Sequence, residues 1–114
     1  MTRRMLQLAR PAPGSRALDA GCGCGTTLGL LLQSGARALG LDLNDGFLRE
    51  AAVDGRAVAQ SDLAYLPMAD GSLDLIVCEC TWNLTDKERV LAEFFRVLRP
   101  GGVLALSDIY ARGY

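Results

Sequence analysis

Five short apolar runs, separated by stretches of helical periodicity and turns, decide what this chain can fold into. "RALDAG" (Arg16 to Gly21), "ARALGLDL" (Ala36 to Leu43), "RAVAQSD" (Arg56 to Asp62), "LDLIVCEC" (Leu73 to Cys80) and "GVLALSDIY" (Gly102 to Tyr110) are all strand-sized. The fourth is apolar on both faces, as a central parallel strand must be. "TTLGLLLQSG" predicts a helix stopped by Gly35, and "GFLREAAVDG" a second, shorter one. "TDKERVLAEFFRVLRPGG" predicts the strongest helix. Thr85 and Glu88 have capping-box spacing. Val90, Leu91, Phe94, Phe95, Val97 and Leu98 form one apolar stripe, and Pro100 and Gly101 end it. Strands that alternate with helices predict an α/β fold, a doubly wound parallel sheet covered on both faces.

In such sheets ligands bind at the carboxyl ends of the strands. The first predicted strand ends at Asp19 and a glycine turn, the second at Asp42, the third at Asp62, and the fourth at Cys78, Glu79 and Cys80. Four consecutive strand ends therefore carry a carboxylate. The turn, "GCGCG", places Gly21, Gly23 and Gly25 where a strand passes directly into a helix. Free backbone N–H groups at a helix start, with no side chains over them, let a ligand approach closely. The spacing is G-x-G-x-G. A dinucleotide turn needs G-x-G-x-x-G, and both frames fail, at Thr26 and at Leu28. No phosphate-binding G-x-x-x-x-G-K-[ST] is present either. Asp42 follows the turn at a distance that suits an acid accepting from ribose hydroxyls.

The 114 residues suffice for one domain, and half of them are apolar. The formal charge of −1 gives no support to a nucleic-acid or membrane-surface partner. No apolar run is long enough to span a bilayer. The first 15 residues read as an arm or short helix and residues 16–114 as the domain. A cytoplasmic protein with reduced cysteines is expected. There is no histidine, so the commonest general base and metal ligand is missing.

"LDAGCGCG", "GLDLN", "SDLAYLPMADGSLDLIVCE" and "VLRPGGVLALSD" resemble, in order, the core motifs of class I S-adenosylmethionine-dependent methyltransferases. The segment from Asn83 to Tyr110 further resembles the type 11 branch that contains arsenite, quinone and sterol methyltransferases. The resemblance implies a Rossmann-like sheet of strand order 3-2-1-4-5. It implies S-adenosylmethionine as cofactor, S-adenosylhomocysteine as product, and a small-molecule methyl acceptor. It implies that Gly21, Gly23 and Gly25, with Cys22 among them, pass under the methionine part of the cofactor. Asp19 would lie near its amino end, and Asp42 would hold the ribose hydroxyls, with Leu43 against the adenine. Asp62 would accept from the adenine amino group, Leu63 would donate a backbone N–H, and Glu79 and Cys80 would lie beside the methionine and methyl groups. For Asp19 a purely structural bond to the turn is the competing reading. A carboxylate-lined mouth suits a cofactor that carries a sulfonium and an ammonium. Methyl transfer needs mainly positioning, which a chain without histidine can supply.

Two questions stay open at this level. Cys22–Cys24 and Cys78–Cys80 are C-x-C pairs, not the C-x-x-C of common structural zinc sites. They are packing residues, or else two thiol pairs brought together on neighbouring strands to hold a soft metal or metalloid. Trp82 stands where the arsenite enzymes carry a reactive cysteine before the Asn-Leu matched by Asn83-Leu84, which counts against arsenic chemistry. The family's sheet normally adds two final strands that are absent here. The chain is expected to be a fragment of a longer enzyme, or else a minimal protein completed by self-association, and in either case copies would associate through the exposed edge of the fifth strand. The alternative to an active enzyme core is a module that holds the cofactor without turnover.

Overall fold

The computed structural model describes residues 2–79 and 86–107. The strands β1 (Arg16–Ala20), β2 (Arg37–Asp42), β3 (Val58–Gln60), β4 (Leu73–Glu79) and β5 (Leu98–Ser107) form one sheet in the order β3-β2-β1-β4-β5. Every pairing is parallel. The strand order reverses between β1 and β4, where Asp19 lies opposite Val77 and Ala20 opposite Cys78. The helices are α1 (Thr2–Ala9), α2 (Thr26–Gln33), α3 (Asp45–Ala51) and α4 (Lys87–Val97), and a single 3-10 turn, Val53–Gly55, follows α3.

Side-chain alternation along the strands builds two cores. Leu18, Ala20, Ile76 and Cys78 point to one face and pack with Val90, Phe94 and Val97 of α4 and with Leu63, Ala64 and Leu66. Ala17, Leu75 and Val77 point to the other, against Leu28 and Leu31 of α2 and Leu6 of α1. This two-sided burial is why β1 and β4 read as continuous apolar runs and not as alternating ones. By the same alternation, Asp19 and Glu79 face the α2 side.

Three element ends differ from the expectation. β3 is confined to Val58–Gln60 within the predicted 56–62, because Asp62 leaves the ladder and folds its carboxylate back onto Ala64 N at 2.9 Å. Within the described residues, α4 is capped by Asp86, whose carboxylate accepts from Arg89 N at 3.4 Å; Thr85, the predicted cap, lies outside them. The Pro100-Gly101 signal does not end a helix, since α4 stops at Val97 and β5 begins at Leu98. Leu73 pairs with Leu98 but Leu75 with Val103, so Arg99 to Gly102 form a bulge inside the strand. Gly101 supplies the left-handed φ of 81° there, and a Cβ on Gly102 would come within 2.9 Å of the Arg99 carbonyl oxygen. The last predicted residues of the fifth strand, 108–110, lie outside the described residues.

Candidate functional site

The G-x-G-x-G spacing has a backbone cause. Gly21, Gly23 and Gly25 all adopt positive φ, at 74°, 54° and 95°. A side chain in that region costs about 1–2 kcal/mol per residue. A Cβ on Gly23 would meet nothing within 4 Å, whereas one on Gly25 would come within 3.0 Å of Ala51. Gly25 is therefore required by packing as well as by conformation, and Gly23 opens onto free space. The turn leaves β1 and is tied to β2, with Gly21 N and Cys22 N both donating to the Leu41 carbonyl, at 2.7 and 2.9 Å. Gly25 then stands as the N-cap of α2, without a side-chain cap.

Asp42, the last residue of β2, accepts from Gly23 N at 2.9 Å through one carboxylate oxygen and from Asn44 N at 2.9 Å through the other. Each oxygen retains acceptor capacity. Asn44 in turn caps α3 by accepting from Phe47 N at 3.0 Å. One acid thus ties the glycine turn to the second strand and to the start of the next helix.

The predicted residues gather into two linked groups. Gly21, Asp42, Leu43, Asp62 and Leu63 line a cleft of about 570 Å³ between the ends of β2 and β3 and the start of α4. Leu43 is 62% exposed there, an apolar side chain without cover at the mouth. Asp19 and Glu79 form the second group, at the strand-order reversal beneath the first turn of α2. Asp19 is buried, and its Oδ2 has no hydrogen-bond partner among the described residues. Burial first, then the Glu79 charge, and to a lesser degree Asp42, push its carboxyl up to about 7 against the opposing Leu28 N–H. Glu79 accepts from the Thr27 hydroxyl across the reversal. Cys80 lies outside the described residues.

The cysteines separate by environment. Cys22 is buried with Leu48 and Ala51, against Gly40, where a Cβ would come 2.9 Å from its Sγ. Burial, with the Asp19 and Asp42 charges, pushes its thiol up to about 12. Cys78 is fully buried in the core on the α4 face, so the sheet separates it from the α2 side and the two thiols do not converge. Cys24 is exposed, 3.8 Å from the Thr26 hydroxyl. Among the described residues no three acidic, cysteine or histidine side chains cluster as a metal site would require.

Several contributors were not legible in the sequence. Thr27 reads as an ordinary first-turn residue of α2. Arg56 reads as the start of a strand, yet it donates from Nη1 to the Gly25 carbonyl at 3.2 Å. Arg89 lines the cleft, donates to the Ala64 carbonyl at 3.0 Å and lies 4.6 Å over the Tyr65 ring. Their partners are remote in sequence, and no local pattern announces them.

A parallel sheet of this order, a left-handed glycine turn at its reversal and an acid at the end of the second strand define a Rossmann-like nucleoside-cofactor-binding domain. Residues 18–106 match the methyltransferase domain family, and the chain belongs to it. It is 33% identical over 99% of its length to the methyltransferase GfsG of Streptomyces halstedii, covering 44% of that protein. It is 39% identical over 83% of its length to a malonyl-[acyl-carrier protein] O-methyltransferase of Methylococcus capsulatus, covering 38% of it. An arsenite methyltransferase of Halobacterium salinarum is 33% identical over 89% of the chain, which covers 29% of that relative. The chain thus spans less than half the length of these relatives. Among solved structures, the YcgJ protein of Bacillus subtilis superposes with a TM-score of 0.88 at 27% identity, over 96% of this chain and 50% of that one. An S-adenosylmethionine-dependent methyltransferase of Mesorhizobium loti superposes with a TM-score of 0.78 at 29% identity, over 90% and 49%. The cofactor that membership assigns is S-adenosylmethionine. No helix among the described residues is long and apolar enough to cross a membrane.

Proposed function

We propose that this chain is the cofactor-binding core of an S-adenosylmethionine-dependent methyltransferase that, in the whole protein, methylates a small-molecule acceptor. The observation that carries the reading is the buried, unpartnered Asp19 Oδ2 beside Glu79. An orphaned carboxylate oxygen next to a second acid is costly unless a cation joins it. The ammonium of the cofactor's methionine moiety has that charge, and its sulfonium is a second cation. The residues fit the group. Asp19 and Glu79 would take the methionine end, and the backbone of Gly21, Cys22, Gly23 and Gly25 would run beneath it. Asp42 would accept from the ribose, and Leu43, Asp62 and Leu63 would hold the adenine in the cleft. When bound, the cofactor supplies an electrophilic methyl group on a good leaving group. The chain's own contribution is to hold that group in place at the strand ends and to cover it.

The acceptors named for the relatives differ from one another, and a chain without histidine suits an acceptor that arrives already nucleophilic. Cytoplasmic placement belongs to the same reading, supported by Cys22 and Cys24 standing as thiols. Association between copies through β5 is a further part of it. Val103 and Leu106 are 42% and 39% exposed on that strand, which pairs only with β4 among the described residues. Light scattering at rising concentration tests this part, and a constant monomer mass opposes it. Calorimetric titration with S-adenosylhomocysteine tests the core of the reading. Stoichiometric binding is expected, and folded protein that gives no heat and no competition with labelled cofactor rejects it.

A further inference from the structure

We propose that Arg56 is a positioning residue for the glycine turn, its guanidinium seated in a notch that Gly25 and Gly29 leave on α2. The proposal rests on the cofactor reading above. Gly29 lies within α2, where alanine is the better helix former. Its φ is not left-handed, so backbone conformation does not explain it. Space does. A Cβ at Gly29 would lie 3.0 Å from Arg56 Nη2 and 3.3 Å from both Cζ and Nη1. The same guanidinium donates from Nη1 to the Gly25 carbonyl at 3.2 Å, and a Cβ on Gly25 would lie 3.5 Å from that nitrogen.

The Gly25 carbonyl also accepts the first helical bond of α2, from Gly29 N at 2.9 Å. Gly25 is the N-cap and has no side chain to cap with. Arg56 donates to that same carbonyl, from between the 3-10 turn and β3. Asp42 accepts from the Gly23 N–H at 2.9 Å. The turn is therefore gripped twice, an acid on its middle amide and a guanidinium on its last carbonyl. A cation near a helix N-terminus is unfavourable toward the helix dipole. Its seat on the carbonyl oxygen offsets that, and only glycine at position 29 leaves the seat open.

The test compares wild type with Arg56→Ala, Arg56→Lys, Gly29→Ala and the Arg56→Ala/Gly29→Ala double variant. Three quantities are read: hydrogen–deuterium exchange of residues 21–29 without ligand, thermal midpoint, and affinity for S-adenosylhomocysteine. Arg56→Ala is expected to speed exchange in the turn and weaken affinity about tenfold, the worth of one charge-assisted hydrogen bond. Arg56→Lys, which keeps a donor on a similar stem, recovers most of both. Gly29→Ala loosens the turn and weakens binding as Arg56→Ala does, and its helix gain raises the midpoint only in the Arg56→Ala background, where no guanidinium is displaced. The double variant binds no worse than either single one. Unchanged exchange in Arg56→Ala overturns the proposal, and so do additive losses in the double variant. If wild type fails to bind, the cofactor reading falls, and the exchange measurements still decide whether Arg56 holds the turn.

Discussion

Asp19 and Glu79 face the same side of the sheet from neighbouring strands, and both are directed at the first turn of α2. Asp19 pairs in register with Val77, so Glu79 stands one repeat further along the same face. Glu79 accepts from the Thr27 hydroxyl and Asp19 from the Leu28 N–H, while Asp19 Oδ2 is buried with no hydrogen-bond partner among the described residues.

The first prediction concerns pH. The Asp19 carboxyl titrates near 7 in the folded chain against 3.8 ordinarily. The folded state therefore binds a proton more tightly than the unfolded state. The stability from this group is fully present below about pH 4 and is lost as pH rises through 7. Its full span is about 4 kcal/mol. Urea unfolding of ligand-free protein between pH 4.5 and 7.5 is expected to show stability falling, and Asp19→Asn to flatten that slope. A slope equally steep in the variant would remove Asp19 as its source.

Asp42 yields the second prediction. Asp42→Ala deletes the acceptor for both Gly23 N and Asn44 N. Two backbone amides lose a charged partner, which costs about 3 kcal/mol in total. The expected outcome is a lower unfolding midpoint in urea together with a loss of S-adenosylhomocysteine binding beyond calorimetric detection. Asp42→Asn keeps one acceptor oxygen and falls between the two.

A third prediction separates the thiols. Cys24 is exposed, whereas Cys22 and Cys78 are buried, and the Cys22 thiol is raised to about 12. Thiolate is the reactive form. Brief maleimide treatment at pH 8 followed by peptide mass spectrometry is expected to label Cys24 in the folded protein and to reach Cys22 and Cys78 only in denaturant. Early labelling of Cys22 would contradict its packing against Gly40.

Two adjacent phenylalanines on α4 make the fourth. Phe94 is fully buried and Phe95 is 66% exposed. Phe94→Ala is expected to destabilise by about 3–5 kcal/mol. Phe95→Ala should change stability by less than about 0.5 kcal/mol. Denaturant midpoints of the two variants measure this directly.

Most of the architecture was legible because it rests on local periodicity. The strand and helix positions follow from apolar runs of strand length, from the stripe Val90, Phe94 and Val97, and from the turn glycines, whereas the sheet order was implied only by the family resemblance. The element ends were less legible. Pro100-Gly101 carries the same local signal whether it stops a helix or kinks a strand, and only the pairing of β5 with β4 selects the bulge. Asp62 likewise carries a strand-end pattern, although its side chain turns back to form its own local bond to Ala64.

The sequence by itself determined the alternation of strands and helices, the place of the glycine turn and the identity of the acids at the strand ends, and its motifs carried the resemblance to the family. The first three follow from the order of elements and from turn residues, which are properties of neighbouring residues. Tertiary structure decided the rest. It placed Asp19 and Glu79 under α2 with an oxygen unpartnered, put Cys22 and Cys78 on different sides of the sheet, and brought the Arg56 guanidinium to Gly25. Burial and charge pairing depend on which remote segments meet, and no short-range pattern encodes the distance between them.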